Sequence, residues 1–298
     1  MLSDAVIETV YEEAMPNPLP YKCPVCDQPL SLNSKSYRCE SNHTFDEAKE
    51  GYVNLHLVQH KRSKHPGDNV EMIASRRDFL NKGYYQMLSD AITGWLSTSS
   101  MGLQQRLLDV GCGEGYYLQQ LRKASLARSA PLELAGIDLS KPAVKLAAKQ
   151  KIDAQLAVIN ADALPFFSQS FDVLLSVFAP LNVREAQRVL KTDGHLLMVG
   201  PGESHLSGLA SQIYDQVTPH QGNYQILEGD NDLQLIDEVE IKQEITVAGA
   251  DVLDLLTMTP YYWHTSEEQK ASIAQLESLT TTLHFYLRIY QLKSTPLN

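Results

Sequence analysis

One stretch limits the fold of this chain more than any other. Leu107, Leu108 and Val110 make a short apolar strand. Gly111, Gly113 and Gly115 follow at alternate positions, and Tyr116–Lys123 then reads as a helix. Glycines at these places permit a tight turn and let a ligand touch the backbone. Leu132–Ile137 reads as a second strand ending in Asp138, 23 residues past Gly115. An acid at that point can accept both hydroxyls of a ribose. The pattern predicts a βαβ unit that holds a nucleoside.

A dinucleotide enzyme shares this much. However, the G-x-G-x-x-G spacing is missing, and an acid, Asp109, stands just before the loop. These features favour S-adenosylmethionine, which has no pyrophosphate to cradle. Its methionine part would lie at the loop (Asp109, Gly111, Gly113, Glu114) and its ribose at Asp138. Its adenine would lie at Asp162, after a third strand at Gln155–Asn160. An α/β domain with ordinary strand-end acids, or a nicotinamide site, remains open on spacing alone. Phe171–Phe178 reads as a buried fourth strand broken by Ala179-Pro180, Val183–Leu190 as an amphipathic helix, and His195–Gly200 as a fifth strand. Alternation at this spacing predicts a parallel, doubly wound sheet. From Thr281 to Leu292 the chain alternates with period two, which suits an antiparallel pair with a strand near Val239–Val247. The expected fold class is α/β: a Rossmann-like class I methyltransferase sheet, mostly parallel, with an antiparallel C-terminal hairpin.

A second motif lies upstream. Cys23, Cys26, Cys39 and His43 read C-x2-C-x12-C-x3-H. Zinc takes four such ligands tetrahedrally, and a filled set leaves no position for water, so the expected zinc is structural, one per chain. A segment of this size cannot fold on its own core, and metal binding supplies what is missing. Chance spacing of buried cysteines is the plainer alternative. A redox C-x-x-C leaves the second pair unexplained.

Charge bears on partners. With 25 basic and 36 acidic side chains the net charge is −11. That excludes a uniformly basic coat for nucleic acid and leaves only a local basic surface. One such cluster runs from His60 to Arg77: Lys61, Arg62, Lys64, Arg76 and Arg77 against Asp68 and Glu71. These five cations are the candidate RNA-binding residues. Pro66-Gly67 marks an exposed loop there, and a solvated charge run is its plainer reading. No apolar run reaches the roughly 18–20 residues of a membrane span. The acidic start lacks the features of a secretory signal, so cytoplasm is the expected location.

The zinc knuckle, Phe45–Leu55 (Phe-Asp-Glu-Ala-Lys-Glu-Gly-Tyr-Val-Asn-Leu), Gln59-His-Lys-Arg62, Pro66-Gly-Asp68, Ala74-Ser-Arg-Arg77 and Asp109–Tyr117 together resemble the 23S rRNA (guanine-N1)-methyltransferase family, RlmA type. The resemblance runs from about Cys23 to the C-terminus. It implies methyl transfer from S-adenosylmethionine to N1 of one guanine in a hairpin of 23S rRNA, with the zinc module helping to recognise that RNA. It also implies cofactor roles for Gly113, Glu114, Tyr85 (in Gly83-Tyr-Tyr85) and His205 (in Gly200-Pro-Gly-Glu-Ser-His-Leu206). A homodimer sharing the RNA is a further expectation.

The corresponding division of the chain is an N-terminal extension (1–20), a zinc-binding RNA-recognition domain (21–60), a basic loop and helical linker (61–100), and the methyltransferase domain (101–298). Guanine N1 must lose a proton, and the residues alone leave the catalytic base open. His205, His264 and the cluster Thr257–His264 are candidates, with Tyr261, Tyr262 and Trp263 able to stack on an extruded base. Phe178-Ala-Pro180 marks where that base should enter. Two other functions stay open: a methyltransferase of another RNA or of a small molecule, and a non-catalytic RNA-binding module on the same fold.

Overall fold

The structure, a computed structural model, describes residues 19–57, 68–98, 105–220 and 222–293. Lys61, Arg62 and Lys64 of the basic cluster lie outside these.

Two sheets organise the described residues. The smaller is antiparallel, with strands β1 (Tyr21–Lys22), β2 (Pro29–Asn33), β3 (Ser36–Arg38) and β4 (Thr44–Asp46) in that order. The larger has eight strands. They are β5 (Tyr52–Asn54), β6 (Gln105–Val110), β7 (Leu132–Asp138), β8 (Ala154–Val158), β9 (Phe171–Val177), β10 (Leu190–Pro201), β11 (Leu233–Ala248) and β12 (Ser278–Leu292). Their spatial order is β11-β12-β10-β9-β6-β7-β8-β5.

The central strands are apolar because both faces are covered. Leu107, Leu108 and Val110 of β6 are buried, as are Val173, Leu174 and Leu175 of β9. Pairings from β5 through β8, β7, β6 and β9 to β10 are all parallel. The last two strands reverse: β12 runs antiparallel to β10, and β11 antiparallel to β12. The expected hairpin is therefore present, and it is longer at both ends than period-two alternation indicated. β11 is mostly exposed because it has a neighbour on one side only.

Strand order doubles back between β6 and β9: β7 and β8 lie to one side, β10 and β12 to the other. Ligands of such sheets bind at that switch point, outside the carboxyl ends of the strands.

The fifth strand begins earlier than sequence indicated, at Leu190 rather than His195. Tyr52–Asn54, inside the 21–60 segment, pairs in parallel with Leu156–Val158 and forms one edge of the large sheet. The two sheets are also joined by Lys22 N–H donating to Pro165 O at 2.8 Å and by Tyr21 packing on Phe166 at 5.4 Å.

The linker supplies helices Val70–Asn81 and Gln86–Thr98. Asn69 caps the first by accepting from Met72 N–H at 2.8 Å. Its far end is held by Lys82 paired to Asp251 and by Tyr84 Oη donating to Asp251 at 2.9 Å. The helix therefore lies across the switch point beside Asp251–Thr257. Among the described residues, no helix is long and apolar enough to cross a membrane.

Candidate methyl-donor cavity and metal centre

The four predicted metal ligands converge. Their donor atoms all lie within 4.8 Å of one another. Cys26 Sγ is 3.7 Å from Cys39 Sγ, and His43 Nδ1 is 3.4 Å from Cys39 Sγ and 3.7 Å from Cys23 Sγ. A zinc tetrahedron with bonds of about 2.0–2.3 Å has edges of roughly 3.5–3.8 Å; these three distances match those edges, and all four donors lie close enough to surround one ion.

Two tight turns set this geometry. Asp27 N–H donates to Cys23 O, Asn42 N–H donates to Cys39 O, and Asp27 and Asn42 both take positive φ, as short polar side chains can. Gln28 Oε1 ties the turns together by accepting from Ser41 N–H at 3.1 Å and Ser41 Oγ at 2.9 Å. Tyr21, Cys23, Leu30 and Cys39 are the buried apolar residues of the small sheet. Two of these four are metal ligands, so the ion stands in for a core. With four protein ligands its role is structural.

The second site is a cavity of about 620 Å³ at the switch point. Its floor is the glycine loop. Gly113 has φ +56, and its N–H donates to Asp138 Oδ2 at 3.0 Å. Ser140 N–H donates to Asp138 Oδ1 at 2.7 Å, so the strand-end acid braces the loop. Gly115 has φ +87, and a Cβ there would meet Ile152 at 2.7 Å. The helix Tyr116–Arg128 can begin only where that side chain is absent.

One half of the cavity is charged. Arg76 reaches in from the linker helix, pairs with Asp68 at 2.5 Å and donates to Met258 O at 3.4 Å. Burial opposes its charge, but Asp68, Glu114 and Asp138 outweigh burial and raise its pKa. Glu114 is buried and its carboxyl is pushed up by burial, with Arg76 opposing. Burial also raises Asp138. Beneath the loop Asp109 is 1% exposed, and its Oδ2 has no hydrogen-bond partner. Burial, then Asp138 and Glu114, push it up to about 8. Three carboxyls thus crowd one guanidinium, and the orphaned oxygen of Asp109 lies beside two of them. A ligand carrying a carboxylate for Arg76 and cationic groups for the acids fits this half. That is the chemistry of S-adenosylmethionine.

The other half is aromatic. Tyr85 meets Phe178, His205 and Phe285 at ring distances of 6.5, 6.3 and 4.9 Å. Phe178 and His205 lie near-parallel, 21° apart at 6.0 Å. Phe178 holds φ +53 and is 41% exposed. For a bulky aromatic this backbone is strained, and such strain gathers where ligands are held. Burial, then His220 and His284, push His205 down to about 3, so it is uncharged at neutral pH.

Tyr85, Gly111, Gly113, Glu114, Asp138 and His205 all line the cavity. Asp109 supports it from below. Asp162 is not among the lining residues: it is exposed and held by Asn160, whose Nδ2 donates to it at 3.0 Å. Asn160 and Ala161 line the wall where an adenine acid was expected. Arg76 lies inside the cavity, away from any outer basic face. Arg77 is partly exposed and paired with Asp78 at 2.9 Å. Of the aromatic trio only Tyr261 lines the cavity, while Trp263 is 63% exposed. Asp68, Met258 and His220 also line it; Met258 belongs to the Thr257–His264 cluster, and no spacing rule marked the other two.

Comparison with known proteins agrees with this geometry. A zinc-ribbon family model described as "RlmA, N-terminal" matches residues 21–64, and one described as "Methyltransferase domain" matches residues 108–198. The chain is 29% identical to the 23S rRNA (guanine(748)-N(1))-methyltransferase of Streptomyces fradiae, over 87% of this chain and 91% of that protein. Two proteins provisionally named 23S rRNA (guanine-N(1)-)-methyltransferases are also similar. The Micromonospora griseorubida protein is 31% identical, over 93% of this chain and 99% of its own length. The Bacillus subtilis protein is 32% identical, over 88% and 94%.

Two predictions follow from these sites. Purified protein should hold one zinc per chain. Stripping the metal should make residues 21–46 protease-sensitive while the large sheet still unfolds cooperatively. A metal-free protein as resistant as the native one would rule out the structural role. The second concerns pH. Cationic ligand groups favour ionised carboxyls, so binding should lower the raised values of Asp109, Glu114 and Asp138 and release protons. S-adenosylmethionine affinity should therefore rise as pH climbs towards about 8, the value of Asp109 in the free protein, by at most about tenfold per unit per proton released. Asp109→Asn should flatten that rise. Calorimetry in buffers of different ionisation enthalpy measures the protons, and a pH-independent affinity would contradict the reading.

Proposed function

The chain belongs to the 23S rRNA (guanine-N1)-methyltransferase family, and on that premise we propose that it methylates N1 of one guanine in a hairpin of 23S rRNA. The observation that carries this reading is the two-sided cavity. Its charged half suits the methionine part of S-adenosylmethionine, and its aromatic half forms a flat-walled slot beside it. S-adenosylmethionine supplies the electrophilic methyl group.

Arg76 serves the methionine carboxylate, supported by its burial and its place 3.9 Å from where a Gly113 Cβ would be. Asp138 braces the loop and faces the ribose. Tyr85 and His205 close the cavity on the side where the methyl group would be presented. A guanine turned out of its stack would enter past Phe178 and lie against the rings of the slot. Holding donor and acceptor in line accounts for much of the acceleration.

The zinc ribbon is joined to the loop after β8 through Pro165 and Phe166, and the start of that loop, Ile159–Ala161, lines the cavity. RNA held by the ribbon therefore lies beside the slot. Lys61, Arg62 and Lys64 contact its phosphates. Arg77 adds to them when its pairing with Asp78 opens.

The decisive assay is methyl transfer from labelled donor to naked 23S rRNA, followed by mapping. Label should appear as N1-methylguanine at one hairpin position, and label elsewhere or none would overturn the reading. Replacing Lys61, Arg62 and Lys64 with Ala should weaken hairpin binding and leave donor affinity alone. The log K against log salt slope should flatten by about 2–3 units, because each phosphate contact contributes roughly 0.7–0.9. The mapped position should stay the same, since phosphate contacts position RNA without reading its sequence. Parallel slopes with equal affinity would assign the stretch to solvent.

A further inference from the structure

Methylation at guanine N1 requires a group that takes the N1 proton. The aromatic side of the cavity holds one pair arranged for this, and the inference rests on the function just proposed. Tyr261 Oη and His220 Nε2 lie 2.8 Å apart, and both residues line the cavity. A contact with the His205 backbone favours the charged form of the His220 ring. In the neutral ring with its proton on Nδ1, the Nε2 lone pair accepts from the Tyr261 phenol.

We propose that Tyr261 is the catalytic residue that receives the N1 proton and that His220, acting through it, is the final acceptor. The N1 proton passes to Tyr261 Oη as the phenol proton moves to His220 Nε2. The N1 electron pair forms the bond to the methyl carbon. The carbon–sulfur bond breaks, and its electron pair stays on sulfur. His220 later returns its proton to solvent. Charge balances: the sulfonium becomes a neutral thioether and the imidazole an imidazolium.

Several other titratable groups near the cavity are unsuited to the task. His205 Nδ1 accepts from His284 N–H at 3.3 Å, so its Nε2 carries the proton and can only donate. Asp138 is engaged by two backbone N–H groups. Glu114 lies on the charged side with Arg76, and Asp109 is sealed under the loop. His264 is exposed and outside the lining.

The titratable rings facing His220 are those of His205, at 6.0 Å, and Tyr261, with Tyr214 packed behind Tyr261 at 6.0 Å. Burial lowers His205 and raises Tyr261, so neither is charged at neutral pH. Burial lowers the pKa of His220, and the contact with the His205 backbone opposes that shift. The ring is therefore unprotonated and able to accept at the pH where the reaction runs.

The test is the single-turnover rate on 23S rRNA against pH for wild type, His220→Asn and Tyr261→Phe, with donor affinity measured by calorimetry. Wild type must first yield N1-methylguanine. If it does not, the function proposed above fails, and this inference fails with it. Given that product, the wild-type rate should fall on the acid side as His220 becomes protonated. Each variant should lose about 10²–10⁴-fold in kcat, with KM and donor affinity little changed. The acid limb should vanish in His220→Asn, whose rate should instead climb with pH as N1 itself ionises. A variant with wild-type kcat, or an acid limb that survives in His220→Asn, overturns the proposal. If His220→Asn loses donor binding, and with it the fold, Tyr261→Phe decides the outcome on the same terms.

Discussion

The pairing of Arg76 with Asp68 organises the site. It brings the linker helix over the mouth of the glycine loop and sets a permanent cation among Asp68, Glu114 and Asp138. Without that cation the buried acids Glu114 and Asp138 would repel each other and burial would favour their neutral forms still more. With it, burial still raises both, and Asp109 is pushed up to about 8 with its Oδ2 unpartnered. The cavity thus carries more acid than its one guanidinium balances. A sulfonium with an ammonium completes a charge set that the protein leaves unfinished. Selectivity for such a donor over a neutral nucleoside follows from electrostatics before any contact with adenine is considered.

At the other end of the chain the problem is a lack of apolar mass. Strands of two to five residues with four buried apolar side chains cannot offset the entropy of ordering such a segment. Two devices compensate. The metal replaces the interior, and β5 hands the segment over to the large sheet through its pairing with β8. The ribbon is therefore anchored by a backbone ladder as well as by the packing of Tyr21 on Phe166.

What was legible in the sequence was what local spacing determines. The four zinc ligands, the glycine loop and Asp138 follow from turns and strand ends a few residues long. The strands from β6 to β10 announced themselves by continuous apolar runs. Other features depend on distant chain. Arg76 sits in a string of basic residues and looks like its neighbours; its pairing with Asp68 and Met258 O, and the clamp of Lys82 and Tyr84 on Asp251, hold it inward. Asp162 had the right place after its strand, yet the turn it makes with Asn160 points it to solvent. β5 is three residues long, too short for any period to show. His220 lies in a stretch without periodicity, and its partner Tyr261 is 41 residues away.

The parallel pairing of β5 with β8 has a geometric consequence. A ribbon tethered by a flexible linker could search a volume. A ribbon hydrogen-bonded to the sheet that carries the cavity cannot. The gap between the two becomes a fixed length, and the molecule acts as a caliper. Under the proposed function, an RNA held at the ribbon would offer the slot only the nucleotide one span away, and the choice of base would then rest on distance along the hairpin as much as on the chemistry of the slot.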